Sequence, residues 1–300
     1  MAVCSGETAL RITDCFFPHN WPFSPTCRRL VGLEACAGAH YWARELVKLG
    51  HDARLVSPQF VKPYVKGNKN DANDAEAVCE TVGRPNMRFV PVKSIEQQDI
   101  QMLHWVRSGL VKERTAFANR ARGLLGEYGL VVGLGLAQLN KRLPELLEDA
   151  ENGLTVAARH ILSDLYVRLA ELDKQVATDG DKIQAPHQSS LASQAPATVP
   201  GIGPITATAL LASLGDGKAK LLSISKRGDV SLRTLLIHGT RAVVKTAAKK
   251  DDAQGRWIND LVKRRNANIA AVALANKNAR LVWALLTREE TYHAPTLAGV

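Results

Sequence analysis

The sequence predicts an α/β domain followed by all-α domains. Three observations point there. Residues 30–92 alternate short apolar runs with amphipathic segments, and from about Ile95 apolar residues recur every three and four positions. A glycine-rich turn then opens a further helical stretch at Val199. With 300 residues, the chain is long enough for two domains that each bury a core.

Residues 1–29 form an atypical N-terminal segment. Phe16, Phe17, Trp21 and Phe23 are interspersed with Pro18, Pro22 and Pro25, and no periodicity survives that much proline. Residues 30–94 read as a Rossmann-like layer: strand 30–35, helix 39–49 closing at Gly50, strand 53–57, helix 71–82 and strand 88–92. Gly32 and Gly38 lack the G-x-G-x-x-G spacing, and Glu34 would face a cofactor's phosphates with an anion, so a nicotinamide enzyme is rejected.

Residues 95–177 turn helical. Leu103, Val106, Leu110, Phe117, Ala121, Leu124 and Tyr128 lie on one stripe, and Leu154, Ala158, Ile161, Leu165, Leu169, Leu172 and Val176 on a second. Two such helices suit an antiparallel coiled-coil hairpin, serving as an arm, a dimer contact or plain packing. A helix over 95–128 would reach about 50 Å at 1.5 Å per residue. Residues 178–197, rich in Asp, Gln, Ser, Pro and Ala, read as a linker. A C-terminal module over 198–250 and a helical tail over 251–300 complete the chain.

Charge narrows the partners. A net charge of +10 and a pI near 9.5 favour a polyanion such as nucleic acid. No run of 18 or more apolar residues offers a membrane span. Cys4, Cys15, Cys27, Cys36 and Cys79 show no zinc spacing, and no secretory signal opens the chain, which predicts a cytoplasmic protein with reduced thiols. Cys36 and His40 lie four apart, a pair that more often packs than ligates, and no zinc is assigned.

The chemistry-bearing stretch is Asn70-Asp71-Ala72-Asn73-Asp74-Ala75-Glu76. Spacing i and i+3 puts Asp71 and Asp74 on one helical face. Glu34 ends an apolar strand, where α/β sheets gather ligands. Three converging carboxylates would make a Mg2+ site suited to phosphoryl transfer on nucleic acid. The same residues also suit a plainer role, partnering the helix dipole with Asp71 as N-cap, and spacing alone favours that role.

A second constellation is Val199-Pro200-Gly201-Ile202-Gly203-Pro204, which resembles a helix-hairpin-helix turn. Gly201 and Gly203 there would let the backbone approach a phosphate that the next helix's N–H groups face. A tight helix connection without ligand fits the turn equally well. The basic run of Lys218, Lys220, Lys226, Arg227, Arg233, Arg241, Lys245, Lys249 and Lys250 tips the balance to phosphate, with Lys226, Arg227 and Arg233 as contacts.

The succession Val31-Gly32-Leu33-Glu34-Ala35-Cys36-Ala37-Gly38-Ala39, then Val56-Ser57-Pro58-Gln59-Phe60-Val61-Lys62, then Lys69-Asn70-Asp71-Ala72-Asn73-Asp74-Ala75, resembles the insertion-sequence-110 family of transposases over nearly all of Leu30 to Thr246. That resemblance implies a RuvC-like, RNase H-like DEDD domain with four carboxylate ligands for Mg2+. Glu34, Asp71 and Asp74 match the last three. The first has no clear counterpart, Asp14 being a poor fit, as though the N-terminus were replaced or truncated. The family also carries a serine nucleophile between the hairpin and an Ile-Ser-Lys-Arg-Gly type segment. Here Leu214-Gly215-Asp216-Gly217-Lys218-Ala219-Lys220 runs almost directly into Leu221-Leu222-Ser223-Ile224-Ser225-Lys226-Arg227-Gly228, so the intervening segment is expected to be deleted. Ser223 and Ser225 belong to the flank and are not promoted in its place.

The resemblance further implies DNA ends and target as substrates, a guide RNA, a homo-oligomeric synaptic complex and a serine-linked DNA intermediate. The expectation is therefore a transposase, in a decayed copy with impaired catalysis. Two alternatives are a non-catalytic nucleic-acid-binding protein and a RuvC-like metal-dependent nuclease. Metal-dependent DNA cleavage separates the catalytic readings from the binding one.

Overall fold

The computed structural model describes residues 2–5, 8–11, 28–67, 70–214, 228–288, 290 and 292. The chain divides into two compact units, Met1–Ile95 and Glu96–Val300.

In the first unit, β1 (Ala2–Ser5) and β2 (Thr8–Arg11) pair antiparallel, so residues read from sequence as irregular include a short hairpin. The central sheet has the order β3-β4-β5: β3 (Leu30–Glu34) and β4 (Asp52–Val56) run parallel, and β5 (Phe89–Val90) lies antiparallel to β4. Val31 and Leu33 of β3 are fully buried with Leu55 of β4. The crossover between the parallel strands is α1 (Ala39–Lys48), whose Ala39, Ala43 and Leu46 cover one face. The chain leaves β4 through α2 (Pro58–Val61) and a 3-10 turn (Lys62–Tyr64), then returns as α3 (Asp71–Val82). A side chain at Gly32 would meet Val78 and Val82 at 2.8 and 2.7 Å, so its absence lets α3 pack directly on β3. That packing carries the first turn of α3 back to the edge where β3 and β4 end.

The second unit opens with α4 (Ile95–Gly126), α5 (Leu136–Glu148) and α6 (Val156–Ser189). They bury one core of Ala118, Ala121 and Leu125, Leu139, Leu143 and Leu146, and Leu162 and Leu169. The hairpin expected from sequence thus contains a third helix, α5, whose own leucines keep the three-four spacing. The stripes also rotate: Leu125 and Leu162 are buried, while Leu124 and Ile161 are 38% and 55% exposed.

The expected linker at 178–197 is helical. The buried stripe of α6 continues through Val176, Asp179 and Ile183, and this burial holds the helix past the polar composition that suggested a linker. Pro186 removes the donor to the Lys182 carbonyl, and α6 ends within a turn of it. Ser190 then caps α7 (Leu191–Ala197), and the buried Ser193 meets His187 Nδ1 at 2.9 Å.

The C-terminal module comprises α8 (Pro204–Leu214), α9 (Val230–Thr246), α10 (Ala253–Arg264) and α11 (Ala267–Arg288). Residues 251–300, expected as a tail, contribute its central helix. Ala275, Ala279, Val282 and Leu285 of α11 share a core with Val199, Ile202, Leu210 and Leu236, and Thr240 of α9 donates to the Ala271 carbonyl at 2.9 Å. Helix α11 is long and apolar enough to cross a membrane by composition, but the row Ala270, Ala271, Leu274, Ala275, Asn278 and Val282 is buried within the module.

Candidate functional site

The carboxylate edge is built by strand register and helix capping. Glu34 is the last residue of β3, opposite Val56 of β4, and is partly buried. The cap of α3 is Asn70, whose side chain accepts from Asn73 N at 2.7 Å. Asp71 therefore sits in the first turn, exposed, instead of capping it, and Asp74 follows one turn on, partly buried. Glu34 thus ends β3, and Asp71 and Asp74 open the helix that packs on that strand. Among the described residues, however, no group of three or more His, Cys, Asp or Glu side chains lies close enough to hold a metal ion. The convergence expected of Glu34, Asp71 and Asp74 is not formed. The first turn of α3 holds Asp71 toward solvent, and an exposed carboxylate is stabilised there by the helix N-terminus without a metal. The donor chemistry fits a hard cation; the spacing in this structure does not.

Cys36 is free and exposed, whereas Cys79 of α3 is disulfide-bonded, against the expectation of reduced thiols. His40 accepts the Lys93 backbone N–H at 3.2 Å, and burial lowers its pKa, with the charges of Lys93 and Arg44 adding to the effect.

The glycine turn has a packing role that composition could not show. Gly201 adopts a positive φ of 91°. The close approach this permits is to α9: a Cβ on Gly239 would land on the Gly201 carbonyl oxygen, and one on Gly201 would lie 3.2 Å from the Gly239 oxygen. Asn278 of α11, buried, donates to the Pro200 carbonyl at 2.8 Å. Gly203, just before α8, is exposed with open space around its Cβ position. Arg233 lies in the first turn of α9, partly buried, and that helix is capped by Asp229 accepting from Ser231 N and Leu232 N. Arg241 and Lys245, one turn apart on α9, are exposed, as are Lys249 and Lys250 beyond it. Lys218, Lys220, Ser223, Ser225, Lys226, Arg227 and the expected deletion junction lie outside the described residues, as does Asp14.

Sequence reasoning missed a set of polar side chains between α4 and α6. Arg114 pairs with Asp173 at 2.7 Å, and Asn140 of α5 donates to the same carboxylate at 3.2 Å. Arg107 lies over Gly180, in the field of the buried Asp179. The signal was present: inserting Arg107 and Arg114 into the α4 stripe gives 103, 107, 110, 114, 117 and 121, an unbroken four-three alternation that a search for apolar residues alone passes over.

Comparison with known proteins matches a family model and several transposases. A family model described as a transposase, of the DEDD insertion-sequence-110 type, matches residues 28–129. The chain is 49% identical to a Pseudomonas aeruginosa protein named a probable family 20 transposase, over 89% of this chain and 86% of the relative. It is 43% identical to the Coxiella burnetii transposase for insertion sequence element IS1111A, over 87% and 79%, and 37% identical to the Yersinia enterocolitica transposase for IS1328, over 88% and 85%.

Proposed function

The chain belongs to the insertion-sequence-110 family of DEDD transposases, and from that premise we propose that it binds the DNA ends and target of its own element through a phosphate-reading C-terminal module. DNA is the partner that transposition requires, and the family is metal-dependent. One observation supports this module as the binding surface: Arg241, Lys245, Lys249 and Lys250 are exposed along α9 and the turn after it, and no carboxylate among the described residues pairs with them. Gly201, Gly203, Lys226, Arg227 and Arg233 complete the proposed surface, with Gly201 shaping the turn and Gly203 offering the open approach. Cationic surfaces of this kind bind polyanions by releasing condensed counterions.

Mg2+ is the proposed ion, with Glu34, Asp71 and Asp74 as its residues, because an oxygen-only donor set selects a hard cation. A set not gathered in this structure supports weak binding and supplies no defined step. A guide RNA, a homo-oligomeric complex and a cytoplasmic location are carried by family membership alone. Chain length is consistent with the proposed deletion of the nucleophile segment. The alignment with the Pseudomonas relative spans 293 positions but uses 89% of this chain, so about 26 positions lack a residue here.

Salt dependence tests the binding. Affinity for duplex DNA is expected to fall steeply with ionic strength. Arg241→Ala with Lys245→Ala should weaken all sequences alike and flatten the log–log salt slope by about one unit for each phosphate no longer neutralised. Fluorescence anisotropy across a salt series measures both. A slope near zero for the parent chain would remove the proposal.

A further inference from the structure

A groove within the second unit, between the middle of α4 and the start of α9, has no part in the reading above. It encloses about 850 Å³ and takes in Trp105, Arg107, Lys112 and Arg114 from α4 and Ser231 and His238 from α9.

Its cations are under-neutralised. Arg107 and Arg114 both bury their Nε atoms without a hydrogen-bond partner, and their charges oppose one another. Arg114 has Asp173 on its outer nitrogen, but Arg107 forms no hydrogen bond or ion pair among the described residues, and the nearby Asp179 is paired with Lys182 at 3.0 Å. A buried donor without an acceptor costs about 1–3 kcal/mol. An anion entering the groove would give the guanidinium of Arg107, which lines it, a partner. Beside these cations Trp105 is 64% exposed, a large flat ring left in water one residue from the buried face.

A guanidinium that lacks an acceptor, next to an uncovered aromatic face, matches one ligand class. An unpaired nucleotide offers a phosphate to the first and a base face to the second. A duplex cannot, because its base faces are stacked on one another. We propose that this groove holds an unpaired nucleotide of a single-stranded nucleic acid, with its base on Trp105 and its phosphate on Arg107. The inference rests on the nucleic-acid reading above and adds a second surface with a different preference, separate from the cations of α9 that serve the duplex.

The test uses the full chain, labelled oligothymidylate and oligouridylate, and a duplex of equal length, read by anisotropy. Trp105→Ala is expected to weaken single-strand binding about tenfold, in the range of about 1–3 kcal/mol per stacked base. Trp105→Phe should stay within about threefold of the parent, keeping a ring to stack on. Arg107→Gln should weaken it and lower the salt slope by about one. Duplex affinity should hold within about twofold in all three variants if the groove reads base faces. A loss confined to oligouridylate assigns the strand as RNA, and one confined to oligothymidylate as DNA; either supports the groove. Single-strand affinity unchanged in both Trp105→Ala and Arg107→Gln, or an equal loss on duplex, overturns it. If the parent binds neither strand nor duplex, the functional reading fails together with this one. Because Trp105 is exposed and Arg107 makes no bond among the described residues, matching circular dichroism melts establish that the variants fold.

Discussion

His104 faces inward beside the exposed Trp105, and its Nε2 lies 3.0 Å from Thr208 Oγ1, tying α4 to α8. Burial, with the charge of Arg107 in support, holds its pKa down from 6.5 to about 4. The folded state therefore binds fewer protons than the unfolded chain between these values. This contribution to stability is complete above about pH 6.5 and is lost as pH falls toward about 4. The imidazole is only partly buried, so solvent screening reduces the loss to about 1–2 kcal/mol. Urea denaturation at pH 7 and pH 4.5 should show this drop in the parent and a smaller one in His104→Gln; equal drops would remove the assignment. Nothing in the sequence singled out His104, since a histidine in a helical stripe takes its environment from the helix packed over it. Glu34, Asp71 and Asp74 illustrate the opposite limit. Their residue types and their places at a strand end and a helix start were legible, because both follow from periodicity and capping. Their separation was not, because it depends on which way a first-turn side chain leaves its helix.

At the scale of elements, the contact between Gly201 and Gly239 joins the turn before α8 to the middle of α9 with no side chain between them. Gly239→Ala drives a methyl into backbone, which cannot swing aside as a side chain can. The expected cost is about 2–3 kcal/mol, with duplex binding falling in proportion to the unfolded fraction. A denaturation midpoint unchanged from the parent would contradict the close packing. Gly201 was read from sequence as an approach for phosphate, and the element itself was placed correctly while its neighbour was not. Pattern reports that a backbone must come near something; it does not report what. Strands 30–34 and 52–56 and helices 39–48 and 71–82 were legible for the converse reason, since each carries its own apolar period. The stretch at 178–197 was misread because its helicity comes from Asp179, Ile183 and Ser193 being covered by other parts of the unit, and composition carries no record of that cover.

For the whole molecule the family was legible, and the deletion proposed between α8 and α9 leads to a statement about activity. The chain is expected to leave strand exchange incomplete even when supplied with Mg2+, element ends and guide RNA. Without a positioned nucleophile a covalent route loses several powers of ten in rate. Recombination scored in cells with this chain as the sole transposase checks this: product above that of the Asp71→Ala, Asp74→Ala double variant would contradict it. Folding is a separate matter, and the charged residues between α4 and α6 bear on it. Arg114 stands opposite Asp173 and Arg107 opposite Gly180, so the two long helices run antiparallel, and of the two arginines Arg114 holds a carboxylate across them. Sliding α6 by one heptad in either direction would keep apolar stripe against apolar stripe. In one direction Arg114 would then face Tyr166, and in the other Gly180, so either slip breaks its pair with Asp173. Arg114 and Asp173 are 21% and 32% exposed, so losing their pair costs about 1 kcal/mol. The Arg114–Asp173 pair thus acts as a vernier: the apolar stripes tolerate more than one alignment of the helices, and the ion pair favours the observed one.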